Sequence, residues 1–188
     1  MSDTKIITGN IFRDAPKHFA ERGMKASFAL IKKYSSVGRL TPKVALELFD
    51  SFISPILLYG CEIWSTKSES ESIEQLHLKY LKLMLGVKSS TCNLAIYGET
   101  GRFPLHLTQM YRMIKYWLRL TKLDSSKIVK QAFLQMKQYH DLGFKNWTSN
   151  IFSILSTYKL GEEWNIENRT QLEINSLLSS SSHTLEQK

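Results

Sequence analysis

The segment YGETGRFPLHLTQMYRMIKYWLRL, residues 97–120, constrains the fold more than any other stretch of the chain. Four of its apolar residues recur at three- and four-residue spacing, the period of one helix face: Leu107, Met110, Ile114 and Trp117. Similar periods recur elsewhere, and the 188 residues include only 9 glycines and 4 prolines, few for a turn-rich β fold. The sequence therefore predicts an all-α fold, a multi-helix bundle of about six to eight helices. At most a short N-terminal strand is expected, at residues 5–8.

Capping signals place several helix ends. Thr41 followed by Pro42 predicts a helix start, and apolar residues continue the pattern to Leu57, with a bend at Pro55 because proline lacks the backbone donor. From Phe52 onward this helix is apolar around most of its circumference, which predicts burial on several sides. The remaining helices are predicted near residues 15–34, 68–85, 93–97, 128–139, 147–155 and 170–178, with the last ten residues frayed.

The glycines at the start of the opening segment allow two interpretations. A phosphate-binding loop of the Walker type needs four residues between its glycines and a following Lys-Ser or Lys-Thr, whereas Gly98 and Gly101 enclose only two. A hinge fits better: Gly98 ends the short helix in left-handed geometry, Gly101 permits the reversal, and Pro104 precedes the next helix.

Positive charge is concentrated in the first two thirds of the chain. The formal net charge is +8, and residues 1–123 carry 18 Lys and Arg against 10 Asp and Glu, whereas residues 124–188 carry equal numbers. Such a bias is typical of a region that faces a polyanion.

The sharpest cationic pattern follows the helix predicted after Pro104. Arg112, Lys115, Arg119 and Lys122 are spaced three, four and three residues apart, which stacks them along one side of that helix. Further candidate cations that neighbouring helices would contribute are Lys25, Lys32, Lys33, Lys79, Lys82 and Arg102. If the positive faces merge, they form one groove wall for a nucleic-acid backbone; the alternative is an ordinary solvated face.

The sequence shows no spacing of acidic, histidine or cysteine residues that is typical of a catalytic site. The five aspartates are scattered without an Asp-Asp pair, and the five histidines show no H-x-x-x-H spacing, so no metal site is indicated. Cys61 and Cys92 are expected to be small buried residues rather than nucleophiles. We predict no cofactor and no small-molecule ligand.

Two patterns bear on location. Asn146-Trp147-Thr148 and Asn168-Arg169-Thr170 match the glycosylation pattern, but without a hydrophobic leader they are interpreted as chance matches in an intracellular protein. The apolar run at residues 52–59 is too short to span a bilayer, so we predict a buried segment and no membrane partner.

A combination of motifs resembles a known family. LFDSFISPILLYGCEIW (48–64), LHLKYLKLMLGVKSSTCNLAIYGETGRFPL (76–105) and RMIKYWLRL (112–120), preceded by ERGMKASFALIKK (21–33), occur in order and spacing. They are similar to the segment beyond the palm in reverse transcriptases of LINE-type (non-LTR) retrotransposons. The resemblance covers about residues 5–123. It implies the helical thumb and post-thumb connector of an RNA-directed DNA polymerase, with the palm metal motif and the endonuclease absent, so no catalytic residue is carried over.

The domain and function hypotheses follow from these observations. Residues 1–14 are expected to be a palm-edge remnant, 15–123 a thumb-like bundle, 124–178 a helical extension and 179–188 a disordered tail. The first functional hypothesis is a catalytically incomplete polymerase fragment that binds the backbone of an RNA–DNA or DNA duplex without reading bases. The alternatives are a helical module that binds a protein, such as a separately encoded palm, and a remnant of a mobile element without function.

Overall fold

The computed structural model describes residues 14–35, 41–65, 70–157 and 164, and all regular structure in these ranges is helical. The predicted all-α architecture is therefore confirmed. The strand predicted at residues 5–8, the helix at 170–178 and the terminal tail lie outside the described residues.

The helices, numbered in chain order, are α1 (Ala15–Ser35), α2 (Pro42–Leu48), α3 (Ser54–Leu57), α4 (Cys61–Trp64), α5 (Glu71–Leu85), α6 (Asn93–Thr100), α7 (Leu105–Lys122), α8 (Ile128–Asp141) and α9 (Trp147–Thr157). A π-helical turn, Phe49–Ile53, joins α2 to α3.

The chain divides into two compact units. Unit 1 contains α1, α2, α3 and α5 with the following loop, and unit 2 contains α4, α7, α8 and α9; the boundary at 96/97 falls within α6. Sequence reasoning placed a boundary at 123/124 instead, but α7 packs against α8 and α9 within unit 2. The functional division into thumb and extension stays a prediction.

Unit 1 depends on a close approach of α1 to its neighbours. Gly23 is buried on α1, and a Cβ atom added there would lie 2.5 Å from Cδ2 of Leu57 and 3.0 Å from Cδ2 of Leu76. Because real Cβ atoms essentially never approach another carbon atom within 2.5 Å, a larger residue would force the buried Leu57 side chain to shift. Glycine therefore lets α1 lie directly on α3 and α5.

The helix that begins at Pro42 differs from the prediction in its second half. Thr41 caps it as expected, its hydroxyl accepting from Val44 N at 3.4 Å. Instead of one bent helix, the chain widens into the π-turn, in which Ser54 N donates to Phe49 O, before Pro55 enters α3. The widened turn directly precedes Pro55, whose ring lacks the N–H that a continuous α-helix would use.

This segment is also buried on fewer sides than predicted. Phe49 and Ile53 are buried in the π-turn, whereas Phe52 is 57% exposed, so the segment has one solvent-facing side. Tyr80 of α5 holds α2 in place, because its buried hydroxyl donates to Ala45 O at 2.8 Å.

The glycine that ends α6 in left-handed geometry is Gly101, not Gly98 as predicted. Helix α6 continues through Gly98 to Thr100, and Gly101 is the left-handed residue, with φ of 62°. Arg102 N donates to Tyr97 O at 3.0 Å across this turn, the hydrogen bond of a Schellman motif. The prediction that Gly98 adopts left-handed geometry is wrong, whereas the hinge ahead of α7 is present.

The core of unit 2 forms around α7. Trp117 is buried and stacks parallel to Trp164 with ring centroids 6.3 Å apart, and Ile151 and Leu155 of α9 join the same cluster. Trp147 ties α9 to α4, because its Nε1 donates to Glu62 O at 2.8 Å.

Polar side chains fix the ends of the helices in this unit. The buried Lys130 ammonium donates to Thr121 O at 2.9 Å, where it satisfies a carbonyl in the last turn of α7. At the start of α9, Asn146 Oδ1 accepts from Thr148 N at 2.9 Å while its Nδ2 donates to Met136 O at 2.7 Å. One asparagine therefore caps α9 and anchors it to α8.

The glycine assignment can be tested with two alanine substitutions. Gly98→Ala is expected to raise the free energy of unfolding by up to about 1 kcal/mol, because Gly98 is helical and a Cβ there meets nothing within 4 Å. Gly101→Ala should lower it by about 1 kcal/mol, because alanine disfavours positive φ. Urea unfolding measures both values; destabilisation by Gly98→Ala would restore the original assignment.

Candidate nucleic-acid interface

Helix α7 separates apolar from cationic residues around its axis. Its apolar face is broader than predicted: Met113, Leu118 and Leu120 are buried together with Ile114 and Trp117. The members of the cationic row that remain fully exposed are Lys115, Arg119 and Lys122. The first and last of these lie seven positions apart, which corresponds to a rise of roughly 10 Å along the helix.

Arg112 differs from the other members of this row. It is half-buried, and its guanidinium hydrogen-bonds to the thiol of Cys61 on α4. Arg112 therefore connects α7 to α4 inside unit 2. Sequence spacing did not indicate this contact, because it joins residues 51 positions apart.

The middle of the row is not neutralised by neighbouring acids. Among the described residues, neither Lys115 nor Arg119 has a carboxylate within salt-bridge distance. Their charges are consequently available to an anion in solution, and adjacent like charges on one helix side favour a ligand that carries several negative groups.

Arg102 lies in unit 2 but outside α7. It is half-buried in the Schellman turn after α6, where its backbone N–H closes the turn. The structure therefore does not place it in the row with Lys115 and Arg119.

The remaining candidate cations belong to unit 1. Lys25 and Lys32 lie seven residues apart on α1 and share one side of it, whereas Lys33 points about 100° away from Lys32. Helix α5 packs beside α1, and its Lys79 Nζ lies 5.7 Å from the ring centroid of Phe28. The structure thus brings Lys79 to the α1 side that carries Lys25 and Lys32.

The side chain of Lys82 on α5 hydrogen-bonds within its own unit. Its Nζ donates to Ser89 O at 2.7 Å, which holds the loop between α5 and α6. Unit 1 and unit 2 therefore each carry a set of cations, and the proposal that these sets form one groove wall stays a prediction.

Phe28 lies beside Lys79 but was not among the candidate residues predicted from the sequence. An apolar side chain in the helix predicted at residues 15–34 suggests burial, yet the structure leaves Phe28 55% exposed. Its spacing of three from Lys25 and four to Lys32 was the available signal, because these distances put all three residues on one helix side.

Two histidines in these units have hydrogen-bond partners within the protein. His77 is buried, with Nδ1 3.1 Å from Glu74 Oε1, and His140 Nδ1 lies 2.9 Å from Ser149 Oγ. Within the described ranges no three His, Cys, Asp or Glu residues cluster as metal ligands would.

The two thiols lie in opposite environments. Burial, assisted by the Glu62 carboxylate, raises the pKa of Cys61 to about 12, although Arg112 acts in the other direction. Cys92 is exposed, which contradicts the prediction of a buried residue, and it precedes α6. Hydrogen bonds from the backbone N–H groups of Ala95 and Leu94 lower the pKa of its thiol, with a smaller contribution from Lys82.

Comparison of the chain with family models, curated proteins and solved structures finds no match. None of the helices that the structure describes is both long and apolar enough to cross a bilayer.

The buried thiol predicts an alkaline loss of stability. Because the folded pKa of Cys61 lies near 12 and its ordinary value is 9.0, its contribution is complete below pH 9 and is lost as pH rises towards 12. The loss amounts to up to about 4 kcal/mol. The difference in unfolding free energy between the wild type and Cys61→Ala should shrink from pH 8 to pH 11.

Tyr80 supplies the control for this pH window. Burial raises its pKa from 10.0 to about 12, so Tyr80→Phe should change the pH dependence only above pH 10. A Cys61→Ala difference that stays constant between pH 9 and 10 would contradict the assignment.

Thiol labelling should distinguish the two cysteines. In native protein at pH 7.5, a disulfide reagent such as dithionitrobenzoate should react rapidly with one thiol per chain, and Cys92→Ser should abolish that phase. Cys61 should react only on addition of denaturant. Two equally fast thiols in the native protein would refute this.

Proposed function

We propose that this chain binds the sugar–phosphate backbone of nucleic acid, without reading bases, through the exposed cationic side of α7. The observation that carries the proposal is the row Lys115, Arg119 and Lys122, which lies opposite the buried face of the helix and has no acid paired with its first two members among the described residues. Cations that contact phosphates in this way supply affinity and position but no sequence information.

The charge of the chain supports the same ligand class. All of the net charge of +8 lies in residues 1–123, which include the cations of α1, α5 and α7. Release of the counterions condensed on nucleic acid would drive binding, so affinity should fall steeply as salt rises.

The resemblance to LINE-type reverse transcriptases gives this binding a specific setting. In that interpretation the helices of residues 15–123 correspond to the thumb, and the ligand is the duplex of template and primer. The 188 residues contain no adjacent aspartates, so we assign them no polymerase chemistry. Binding, rather than catalysis, is the activity proposed for them.

A protein-interaction module is the second candidate, favoured by apolar residues at the α8–α9 turn. Leu142 and Phe144 are exposed there, and Tyr139 contacts Phe144 edge to face at 6.1 Å. An exposed apolar cluster of this kind is typical of docking surfaces. The candidate would be favoured if the protein self-associates or captures a partner and Leu142→Ser and Phe144→Ser abolish that interaction. Nucleic-acid binding should then be unaffected by the same substitutions.

The cationic row can be tested by paired neutral substitutions. Lys115→Gln with Arg119→Gln should weaken binding to RNA–DNA hybrids of all sequences alike and reduce the log–log salt slope by about 2. Fluorescence anisotropy at several salt concentrations measures both effects.

Lys43→Gln with Lys145→Gln is the matched control. Both lysines are exposed and lie outside α7, and the two substitutions remove the same total charge. If the two double variants have equal effects, the row contributes to binding only as general surface charge. Affinity that does not depend on salt would refute the proposal itself.

A further inference from the structure

The outer side of α1 presents an aromatic ring among lysines. Phe28 leaves 55% of its surface exposed even though α1 packs closely on α3 and α5 through Gly23. Lys79 of α5 lies over the ring at 5.7 Å from its centroid, so one ammonium group already borders the aromatic surface. The ring is therefore held at the surface by the helix packing of unit 1.

Two more lysines complete the surroundings of this ring. Lys25 precedes Phe28 by three residues and Lys32 follows it by four, which places both on the same side of α1. The acid that shares this side, Glu21, lies one turn before Lys25 and about two turns from Phe28. Around Phe28 itself the local charge is positive.

We propose that Phe28, Lys25 and Lys79 form a nucleobase-stacking subsite for single-stranded nucleic acid. A base stacks on the exposed part of the phenyl ring, and the adjoining phosphates contact the lysine ammonium groups. The subsite rests on the proposed function in its ligand class, but it adds a contact to bases that α7 does not supply.

Charge complementarity selects this occupant over an apolar peptide. A hydrophobic partner segment would bury Phe28 but would also have to desolvate Lys25 and Lys79 without compensating them. A single strand offers a flat aromatic face and an anionic backbone at once, which matches both components of the surface. Stacking tolerates every base, so the subsite prefers strands with bases without selecting a sequence.

The test compares two DNA strands of equal length and charge, one of twelve thymidines and one of twelve abasic deoxyribose phosphates. The full chain should bind the thymidine strand more tightly by on the order of tenfold. Phe28→Leu should remove that preference while it leaves the salt slope unchanged, and Phe28→Trp should retain it.

Phe52→Leu is the matched control, because Phe52 lies in the same unit and is 57% exposed, about the same as Phe28 at 55%. Its substitution should leave the preference intact, and circular dichroism with urea unfolding confirms that each variant is folded. A preference that survives in Phe28→Leu, or that Phe52→Leu removes equally, would overturn the assignment.

The outcomes separate this inference from the proposed function. Equal affinity of the wild type for both strands, with a steep salt dependence, would overturn the stacking subsite and leave backbone binding in place. Absence of salt-dependent binding to either strand would overturn both. A preference lost only in Phe28→Leu would support both.

Discussion

Burial of Trp117 and its apolar neighbours determines which side of α7 faces solvent. Each fully buried large side chain of this kind contributes about 1.5–3 kcal/mol, and α7 buries several of them against α4, α8 and α9. A rotation of the helix by one residue position would expose Trp117 and bring a cation towards the core. The row of Lys115, Arg119 and Lys122 is therefore held outward by packing on the opposite face.

Local sequence signals predicted the structure correctly at positions where the residue type has a single structural role. Thr41 caps α2 as predicted, and Ile114 and Trp117 of the predicted apolar face are buried, whereas Leu107 and Met110 of the same face are only partly buried. The choice between Gly98 and Gly101 could not be made locally, because either glycine tolerates positive φ and either position can end a helix.

Long-range contacts account for the rest of what the sequence could not predict. The spacing of Arg112 matches the cationic row, yet the fold brings Cys61 next to it, and the guanidinium lies against α4. Phe28 is an apolar residue of α1, but it lies away from the Gly23 side, where α3 and α5 approach most closely, and it stays 55% exposed. In both cases a neighbour distant in sequence decides whether the side chain is buried, and a helical period alone contains no information on that neighbour.

The asparagine at the start of α9 has a consequence for how the protein is produced. Glycan transfer in a secretory pathway acts on Asn-Trp-Thr while the chain is still unfolded, and it substitutes the amide nitrogen that in the folded state donates to Met136 O. A sugar at Asn146 would remove a donor hydrogen and place a bulky group against α8, where Thr148 is completely buried. Material secreted from a eukaryotic host is thus expected to be trapped with α9 undocked, and bacterial cytoplasmic expression avoids that outcome.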